Sequence, residues 1–356
     1  MHALSADAHV FAAELRPPRA ELLGHEGMDA WIDTYHAVRR LTREGTYVFL
    51  TDSAVGAPEE DNIRHLVTNL GSDAPRSRVV PFLTSKHPLE YCLSYADRAW
   101  QQRFPALVVL GGDRTIGPPR CVEHAWRLRS AIRSRQPELL LGGCANPHAD
   151  AAWQAELLAS PDFTGEFFLT QIVSHHHAAE AARFVEALER RGVRTPGMFG
   201  VFFYRSAKAA TLAMLKEFLP VPVEELTREF AEGATPVDVC ARSVRTLLDA
   251  GARHFYLSNL PLGRTSETLR EILARAGISS QLRAKSLLIS RSAPSSSSLP
   301  RAKQNLTYSS PVGPKSTPGT QPMRPCPIRN SAIAQERDGD VAPSGGAHEG
   351  SIRRNA

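Results

Sequence analysis

The feature of this sequence that most constrains its fold is a short apolar run that stops on polar residues and precedes an amphipathic segment. The clearest copy lies at residues 106–113 (ALVVLGGD), where four consecutive large apolar residues precede two glycines and Asp113. A run this short is typical of a strand that is buried on both faces rather than of a helix. Asp113 then falls at the carboxyl end of the strand, where parallel α/β folds place their chemistry.

The same unit recurs over the first 280 residues of the chain. Eight strands are expected, at residues 10–17, 47–52, 78–84, 106–110, 139–144, 166–171, 195–203 and 254–259. Pro81 is awkward within the third strand, because proline cannot donate to a strand ladder. Eight such units over about 270 residues predict a single (β/α)₈ TIM barrel, whose typical size is ~250 residues. A doubly wound open sheet shows the same alternation, but no GxGxxG turn follows the first strand.

The segments between the predicted strands carry apolar residues at helical spacing. Helices are expected at residues 31–43, from Pro58 onward, and at 88–102, 119–135, 149–159, 178–191 and 266–276. Residues 206–250 are expected to be helical with breaks near 220–222 and 235–236, because proline removes a backbone donor and clashes with the preceding turn. Helices thus alternate with strands, as a barrel requires.

Residues 281–356 differ from this pattern and form a separate predicted segment. They are rich in Pro, Ser and Gly, as in SAPSSSSLP and APSGGAHEG. Such a composition cannot bury enough apolar surface to offset its conformational entropy, so a disordered tail is expected. The tail carries 11 Lys and Arg against 4 Asp and Glu, a formal charge of +7, so the first 280 residues carry −2 and the net charge of +5 comes from the tail. The barrel itself offers no basic face that would indicate nucleic-acid binding.

Composition also argues against membrane and secreted classes. No apolar run approaches the ~18 residues that span a bilayer, and no basic segment, apolar core and cleavage site open the chain. The five cysteines lie far apart with no CxxC pair, so neither a disulfide framework nor a zinc site is indicated. We therefore expect a cytoplasmic protein without a membrane partner. A homo-oligomer is compatible with the sequence.

Polar residues end most of the predicted strands, and in a barrel these ends meet at one mouth. Two carboxylates, Glu14 and Asp113, could share acid and base work there, with burial raising the pKa of one. An ion pair of Glu14 with Arg16 or Arg19 is the structural alternative. No GxSxG, HExxH or P-loop motif occurs. The other polar residues at strand ends are Thr51, Asp52, Thr84, Cys144, His148, Gln171, Tyr204 and Asn259.

Three further features have plain structural explanations. The run from His175 to His177 invites interpretation as a metal site, but consecutive side chains point in different directions and no further ligand is visible. We therefore predict no metal, and assign these histidines to a solvent-exposed or helix-start role. Residues 202–204 (FFY) fit core packing as well as a stacking platform. The arginine-rich helix at 127–135 is expected to be a solvated face.

Six strand-end motifs follow one another along the chain: AELRPPR, LGGD, GGCANPHAD, FFLTQ, TPGMFGV and HFYLSN, at the first, fourth, fifth, sixth, seventh and eighth strands. In this order they resemble the motifs of the methylenetetrahydrofolate reductase family. The resemblance extends over residues 11–273. The resemblance implies a barrel in which NAD(P)H reduces FAD, and the flavin passes hydride to 5,10-methylenetetrahydrofolate to give 5-methyltetrahydrofolate. It implies a small-molecule folate substrate and a role in one-carbon metabolism and methionine biosynthesis.

The resemblance also assigns roles to individual residues. Glu14 matches the family's general acid, which helps open the imidazolidine ring of the folate. An acid that stays protonated near neutral pH needs a partly desolvated site. Asp113 matches the acid near the flavin ring and the pterin. The substrate-binding positions are matched by Gln171, Tyr204 and Asn259, and the flavin-binding positions by Thr51, Asp52, Gly112, Asp113 and His148.

The sequence departs from the family mainly where the cofactor is bound. Gly111 stands in place of an arginine, Cys144 in place of a tyrosine, and no lysine lies within residues 150–171. Weaker FAD binding is expected from this loss of positive charge, with Arg114 or Arg120 as replacements. Two alternatives stay open: a flavin-free NAD(P)H-dependent folate reductase, and a non-catalytic barrel that binds folate or another one-carbon cofactor.

Overall fold

The computed structural model describes residues 2–5, 8–18, 22, 24–52, 75–114 and 116–278. The expected helix from Pro58, the expected C-terminal tail and Arg19 lie outside the described residues. Within the described ranges, no helix is long and apolar enough to cross a lipid bilayer.

Eight parallel strands close into a barrel in sequence order, with β1 paired to both β2 and β8. They are β1 Phe11–Leu15, β2 Tyr47–Leu50, β3 Val79–Thr84, β4 Ala106–Leu110, β5 Leu140–Ala145, β6 Phe167–Ile172, β7 Gly197–Phe202 and β8 His254–Ser258. The predicted (β/α)₈ barrel is confirmed, and the open doubly wound sheet is excluded because the strands close on themselves. β3 continues through Pro81, which pairs with Leu50 of β2.

Helices connect the strands in the described part of the chain. They are α1 His2–Ser5, α2 His25–Arg43, α3 Leu89–Gln101, α4 Ala125–Arg135, α5 Ala151–Ala159, α6 Ala178–Arg191, α7 Ala209–Lys216, α8 Val223–Ala231, α9 Pro236–Asp249 and α10 Thr265–Arg275. The two expected proline breaks separate α7, α8 and α9. α4 begins later than expected, because residues 119–124 do not form helical turns.

The main hydrophobic core lies between the barrel and its helices. Side chains alternate along each strand, so every second residue faces outward into this layer. The layer includes Leu83, Val109, Phe168 and Phe255 from the strands and Leu41, Ile132, Phe184 and Leu247 from the helices. Because this core surrounds the strands, the barrel forms a fixed frame for the side chains at its mouth.

The interior of the barrel is filled by aromatic rings. The ring centroid of Phe49 lies 5.6 Å from that of Phe82 and 5.8 Å from that of Tyr256. The Tyr256 hydroxyl donates to Thr170 O over 2.6 Å, and it crosses Gly200, where a Cβ would lie 2.4 Å from the hydroxyl oxygen. The barrel is therefore a packed core rather than a pore, and polar chemistry is confined to its ends.

Candidate active site

Glu14 lies on β1 at the carboxyl-terminal mouth, next to the end of β8. The pairing of Ala13 with Leu257 sets Glu14 beside Ser258, whose Oγ donates to Glu14 Oε1 over 2.7 Å. Desolvation raises the pKa of the Glu14 carboxyl, and the Ser258 bond and the charge of Arg16 oppose that shift more weakly. Arg16 makes no ion pair with Glu14 in the described structure. Glu14 as a whole is partly exposed, and the raised pKa shifts its carboxyl toward the protonated form.

Cys144 lies at the mouth on β5, above the buried Tyr256. Burial raises the pKa of Tyr256 well above its usual value, and the charges of Glu14 and Cys144 raise it further. The Cys144 thiol is exposed to solvent, yet surrounding protein raises its pKa to about 11 against the opposing charge of Arg129. The thiol is therefore protonated at neutral pH and is a poor nucleophile.

Asp52 follows β2 and ties it to the end of β3. Its Oδ2 accepts from the backbone N–H of Thr84 over 2.6 Å and from Thr84 Oγ1 over 2.9 Å, and His87 Nε2 lies 2.9 Å from the carboxylate. The Asp52 side chain is 8% exposed. Thr51 is also engaged, since its backbone N–H donates to Leu15 O over 3.0 Å. These two predicted flavin-binding residues thus use their polar groups within the fold.

The guanidinium of Arg120 lies at the end of β4, beside Gly111 and Gly112, which have no side chains of their own. Gly112 has φ of 74°, in the left-handed region that favours glycine, and its carbonyl accepts from Arg120 Nη2. A Cβ at Gly111 would lie 2.7 Å from Arg120 Cζ. Arg120 therefore occupies the space beside Gly111, the position at which the family that the sequence resembles has its arginine. Desolvation and the charge of Arg114 lower the pKa of Arg120, and Asp113 opposes them.

The loop after β4 is held from below by a buried lysine. Lys86 is 4% exposed, and its Nζ donates to Ile116 O over 2.6 Å and to Pro118 O over 2.7 Å. Asp113 Oδ1 accepts from the backbone N–H of Ile116 over 2.8 Å. The predicted second acid is thus held at one oxygen by its own loop, on the same loop that carries Arg120.

Gln171 and His148 lie near the end of β6. Gln171 is exposed, as a residue that meets substrate at the mouth should be. His148 Nε2 lies 2.8 Å from Ile172 O. Because a carbonyl only accepts, Nε2 of His148 carries the proton and Nδ1 is its acceptor. The structure therefore brings Glu14, Asp113 and Gln171 to the same face of the barrel.

Tyr204 and Asn259, the other two predicted substrate-binding residues, are engaged in contacts within the fold. Tyr204 is 3% exposed, its ring centroid lies 4.9 Å from that of Phe202, and burial raises the pKa of its hydroxyl. Asn259 Nδ2 donates to Phe203 O over 3.0 Å, and its φ of 65° is in the left-handed region. Of the two explanations for residues 202–204, the structure favours core packing. Asn259 joins the ends of β7 and β8.

Arg129 was missed by the sequence reasoning and corrects the expectation of a solvated arginine face. It is 4% exposed, and its Nε and Nη2 donate to Phe163 O over 2.9 and 2.6 Å. Burial lowers its pKa to about 10. The space comes from Gly143, where a Cβ would lie 3.3 Å from Arg129 Cζ. Nothing in the helix sequence distinguishes this arginine from its exposed neighbours.

Ser258 was also missed, although a signal existed. Strand alternation places Ser258 on the same inward face as Tyr256, two residues earlier.

A cleft lined by His36, Arg40 and Ser266 lies between α2 and α10 and contains none of the predicted site residues. The strand-end residues at the mouth are the candidate active site because the polar residues predicted from the sequence meet there.

Comparison with known proteins bears on the fold. No family model matches the sequence, and no curated protein does. An uncharacterised protein from Clostridium thermocellum that binds two copies of 5-methyl-5,6,7,8-tetrahydrofolic acid is 14% identical, with a TM-score of 0.55 over 76% of this chain and 94% of that chain. An F420-dependent secondary alcohol dehydrogenase in complex with an F420–acetone adduct is 11% identical, with a TM-score of 0.47 over 76% of this chain and 99% of that chain. The first similarity shows a shared fold.

Proposed function

We propose that this chain binds a folate at the carboxyl-terminal mouth of its barrel and acts there as an oxidoreductase of the methylenetetrahydrofolate reductase type. The observation that carries the proposal is Glu14, a carboxyl group at the open mouth whose pKa is raised by desolvation. A general acid must hold its proton at the working pH and release it to the substrate. The raised pKa shifts Glu14 toward the protonated form that a general acid needs, and the hydrogen bond from Ser258 Oγ orients the carboxyl.

The reaction would begin with ring opening of 5,10-methylenetetrahydrofolate. Glu14 donates its proton to one ring nitrogen as the bond from that nitrogen to the bridging carbon breaks. The bonding electron pair goes to the departing nitrogen, and the lone pair of the other nitrogen forms a carbon–nitrogen double bond. Hydride from NAD(P)H then reduces this iminium carbon to the methyl group. The Glu14 carboxylate left behind regains a proton from solvent.

Two further findings support a folate as the ligand. Six motifs follow the order of the methylenetetrahydrofolate reductase family across the eight strands. The Clostridium thermocellum protein of the same fold is described as binding a methylated folate. Gln171 is exposed at the mouth, and in our proposal it hydrogen-bonds the folate, with Asp113 on the donor edge of the pterin.

The described residues fit FAD less well than they fit folate. Thr51 and Asp52 are hydrogen-bonded to Leu15 and Thr84, and they offer few free groups to a flavin. Arg120 is the one candidate phosphate contact that lies at the expected place in the described structure. This favours a second candidate function, a flavin-free reductase that takes hydride directly from NAD(P)H. We therefore place no step of the mechanism on a flavin.

The test is NAD(P)H oxidation with 5,10-methylenetetrahydrofolate, measured for the wild-type chain and Glu14→Gln. Loss of one general acid should lower turnover by ~10²–10⁴-fold, while folate affinity should be retained. Glu138→Gln is the matched control, because Glu138 is exposed at the opposite end of the barrel before β5, and its turnover should equal that of the wild type. Wild-type turnover in Glu14→Gln would remove Glu14 from the mechanism.

The absorption spectrum of the purified protein, followed by titration with FAD, separates the candidates. A flavin spectrum or tight FAD binding would assign the flavin-dependent reaction. Turnover without flavin would assign direct hydride transfer. Folate binding with no NAD(P)H oxidation would assign a non-catalytic folate-binding barrel, and absence of folate binding would overturn the proposal as a whole.

A further inference from the structure

Three side chains that the proposed reaction does not use converge beside the connection from β6 to α6. His175 and His176 belong to the 3₁₀ turn His175–His177, and Glu229 comes from α8. His175 Nε2 lies 2.7 Å from Glu229 Oε1, and His176 Nε2 lies 3.6 Å from the same oxygen. The turn leads into α6, which confirms the expected helix-start role. It also turns two adjacent imidazoles toward one carboxylate, which the sequence reasoning did not anticipate.

The cluster is largely closed to solvent and contains two unsatisfied polar atoms. The side chains of His175, His176 and Glu229 are 10%, 14% and 11% exposed. His176 Nε2 and Glu229 Oε2 are buried without a hydrogen-bond partner among the described residues. A buried polar atom without a partner costs ~1–3 kcal/mol. Two such atoms in one cluster indicate a ligand that both would bind.

Hydrogen bonds determine which nitrogen of His175 carries a proton. Ser243 Oγ donates to Val239 O over 3.1 Å, so its oxygen accepts from His175 Nδ1–H, 2.9 Å away. In the neutral imidazole, Nε2 then carries a lone pair. That lone pair faces a carboxylate oxygen of Glu229, which is also an acceptor. Two acceptors 2.7 Å apart repel each other unless a proton lies between them, or unless a cation binds both the Nε2 lone pair and the carboxylate.

Arg242 orients the carboxylate from the outside. Its Nη1 donates to Glu229 Oε1 over 2.7 Å, while its side chain remains 47% exposed. The bond engages Oε1 and leaves Oε2 as the free oxygen. Groups of this kind, behind the ligands, commonly set ligand orientation in metal sites.

We propose that His175 Nε2, His176 Nε2 and Glu229 Oε2 bind a divalent transition-metal ion, for which Zn²⁺ is the best fit. One ligand atom from each residue lies within 4.8 Å of those of the other two. Two imidazoles and one carboxylate are a donor set that zinc takes with water in the fourth position, at ~2.0–2.2 Å from each ligand. Mg²⁺ and Ca²⁺ prefer oxygen ligands and fit this set poorly. The ion would join the turn before α6 to α8.

The test is titration of the full chain, pretreated with a chelator, with Zn²⁺ and separately with Co²⁺. Calorimetry should show one ion per chain, and Co²⁺ should give the visible absorption of a tetrahedral site. The melting temperature should rise with Zn²⁺ concentration, because an ion that binds only the folded chain stabilises it by mass action. His176→Gln and Glu229→Gln should each lower Zn²⁺ affinity by more than ~10-fold, the scale of losing an outer-layer group.

His177→Gln is the matched control. His177 follows the two ligands directly, but its Nδ1 lies 3.0 Å from Ser174 Oγ and its ring contacts His148, so Zn²⁺ affinity should be unchanged. If Glu229→Gln fails to fold, His176→Gln still decides the question, since His176 Nε2 has no hydrogen bond to lose. No Zn²⁺ or Co²⁺ binding at millimolar concentration, or an equal loss in His177→Gln, would overturn the proposal.

Discussion

The barrel mouth carries a carboxyl group near the end of an apolar strand on each of two sides, and the two groups have very different hydrogen-bond surroundings. Glu14 on the β8–β1 side has one hydrogen-bond donor, Ser258, and a pKa raised by desolvation. Asp52 on the β2–β3 side accepts from Thr84 N, from Thr84 Oγ1 and from His87. Glu14 is the fourth residue of the five-residue strand β1, and Asp52 comes two residues after the end of β2. The two carboxyl groups therefore differ in their hydrogen-bond donors, with one around Glu14 and several around Asp52.

The position of an acid near a strand end predicts that it lies at the mouth, but it does not predict which donors surround it. Position alone brings an acid to the mouth, which the sequence predicts for both residues. The donors come from neighbouring strands, so they depend on register and on the loop that follows β3. We therefore assign chemistry to the side with few donors and structural support to the side with many.

The largest expected effect is on stability at the β2–β3 side. Asp52→Ala leaves Thr84 N and Oγ1 without their acceptor in a buried setting, which should cost ~3–5 kcal/mol. At ~2–4 °C per kcal/mol, the melting temperature should fall by the order of 10 °C. Thermal unfolding measures this.

Asp97→Ala is the control for the loss of a paired aspartate. Asp97 is 19% exposed and accepts from Arg135, which is 50% exposed, and from Gln136 Nε2, so its loss should cost ~1 kcal/mol. Equal losses of stability in the two variants would show that the Asp52 network is no stronger than the pair that Asp97 makes. That result would contradict the contrast between the two sides of the mouth.

A smaller effect is expected from Ser258→Ala on the β8–β1 side. The variant should lose ~1 kcal/mol of stability with its hydrogen bond. It should also raise the pKa of Glu14 further, because the Ser258 bond lowers that pKa. A ¹³C NMR titration of the Glu14 carboxyl measures the shift.

Ser85→Ala is a matched control, since Ser85 Oγ donates to Gly111 O over 2.8 Å and touches no part of the Glu14 pair. It should lose a similar amount of stability and leave the Glu14 titration unchanged. A Glu14 pKa that falls in Ser258→Ala would mean that the Ser258 hydrogen bond raises this pKa, which would contradict the effect assigned to that bond.

The smallest expected effect is a gain in stability rather than a loss, and it depends on pH. Desolvation raises the pKa of Glu14 above 4.5, so the folded chain keeps a proton that the unfolded chain releases above that pH. Stability should therefore fall as pH rises from 4.5 to the raised value. Glu14→Gln cannot ionise, so its melting temperature should exceed that of the wild type near pH ~8 and match it below pH ~4. A melting temperature of Glu14→Gln below that of the wild type near pH ~8 would contradict the assignment of Glu14 as an acid whose pKa is raised by desolvation.

Most of the fold follows from local sequence. The eight apolar runs predict the eight strands, because each is a short segment whose burial is written in consecutive residues. Helix ends are also local: Gly192 ends α6 with φ of 69°, and Pro236 begins α9. Even Pro81 does not interrupt β3, since the flanking residues keep their partners on β2 and β4.

The parts that sequence could not supply depend on residues far apart in the chain. The Ser258–Glu14 bond joins the last strand to the first. Arg129 is buried because Phe163 O accepts from it and Gly143 leaves room. Glu229 reaches the histidine turn from a helix 54 positions later. Each contact is decided by how the barrel closes, which no local pattern encodes.

The buried Lys86 under the β4 loop has a consequence for affinity. Its two hydrogen bonds, to Ile116 O and Pro118 O, restrain the backbone that carries Arg120 before any anion arrives. Ordering that loop is then a cost of folding rather than of association, so an incoming phosphate or carboxylate gains the contact with little loss of conformational freedom. An arginine delivered by a tethered loop can in this way be as preorganised as one borne by a strand.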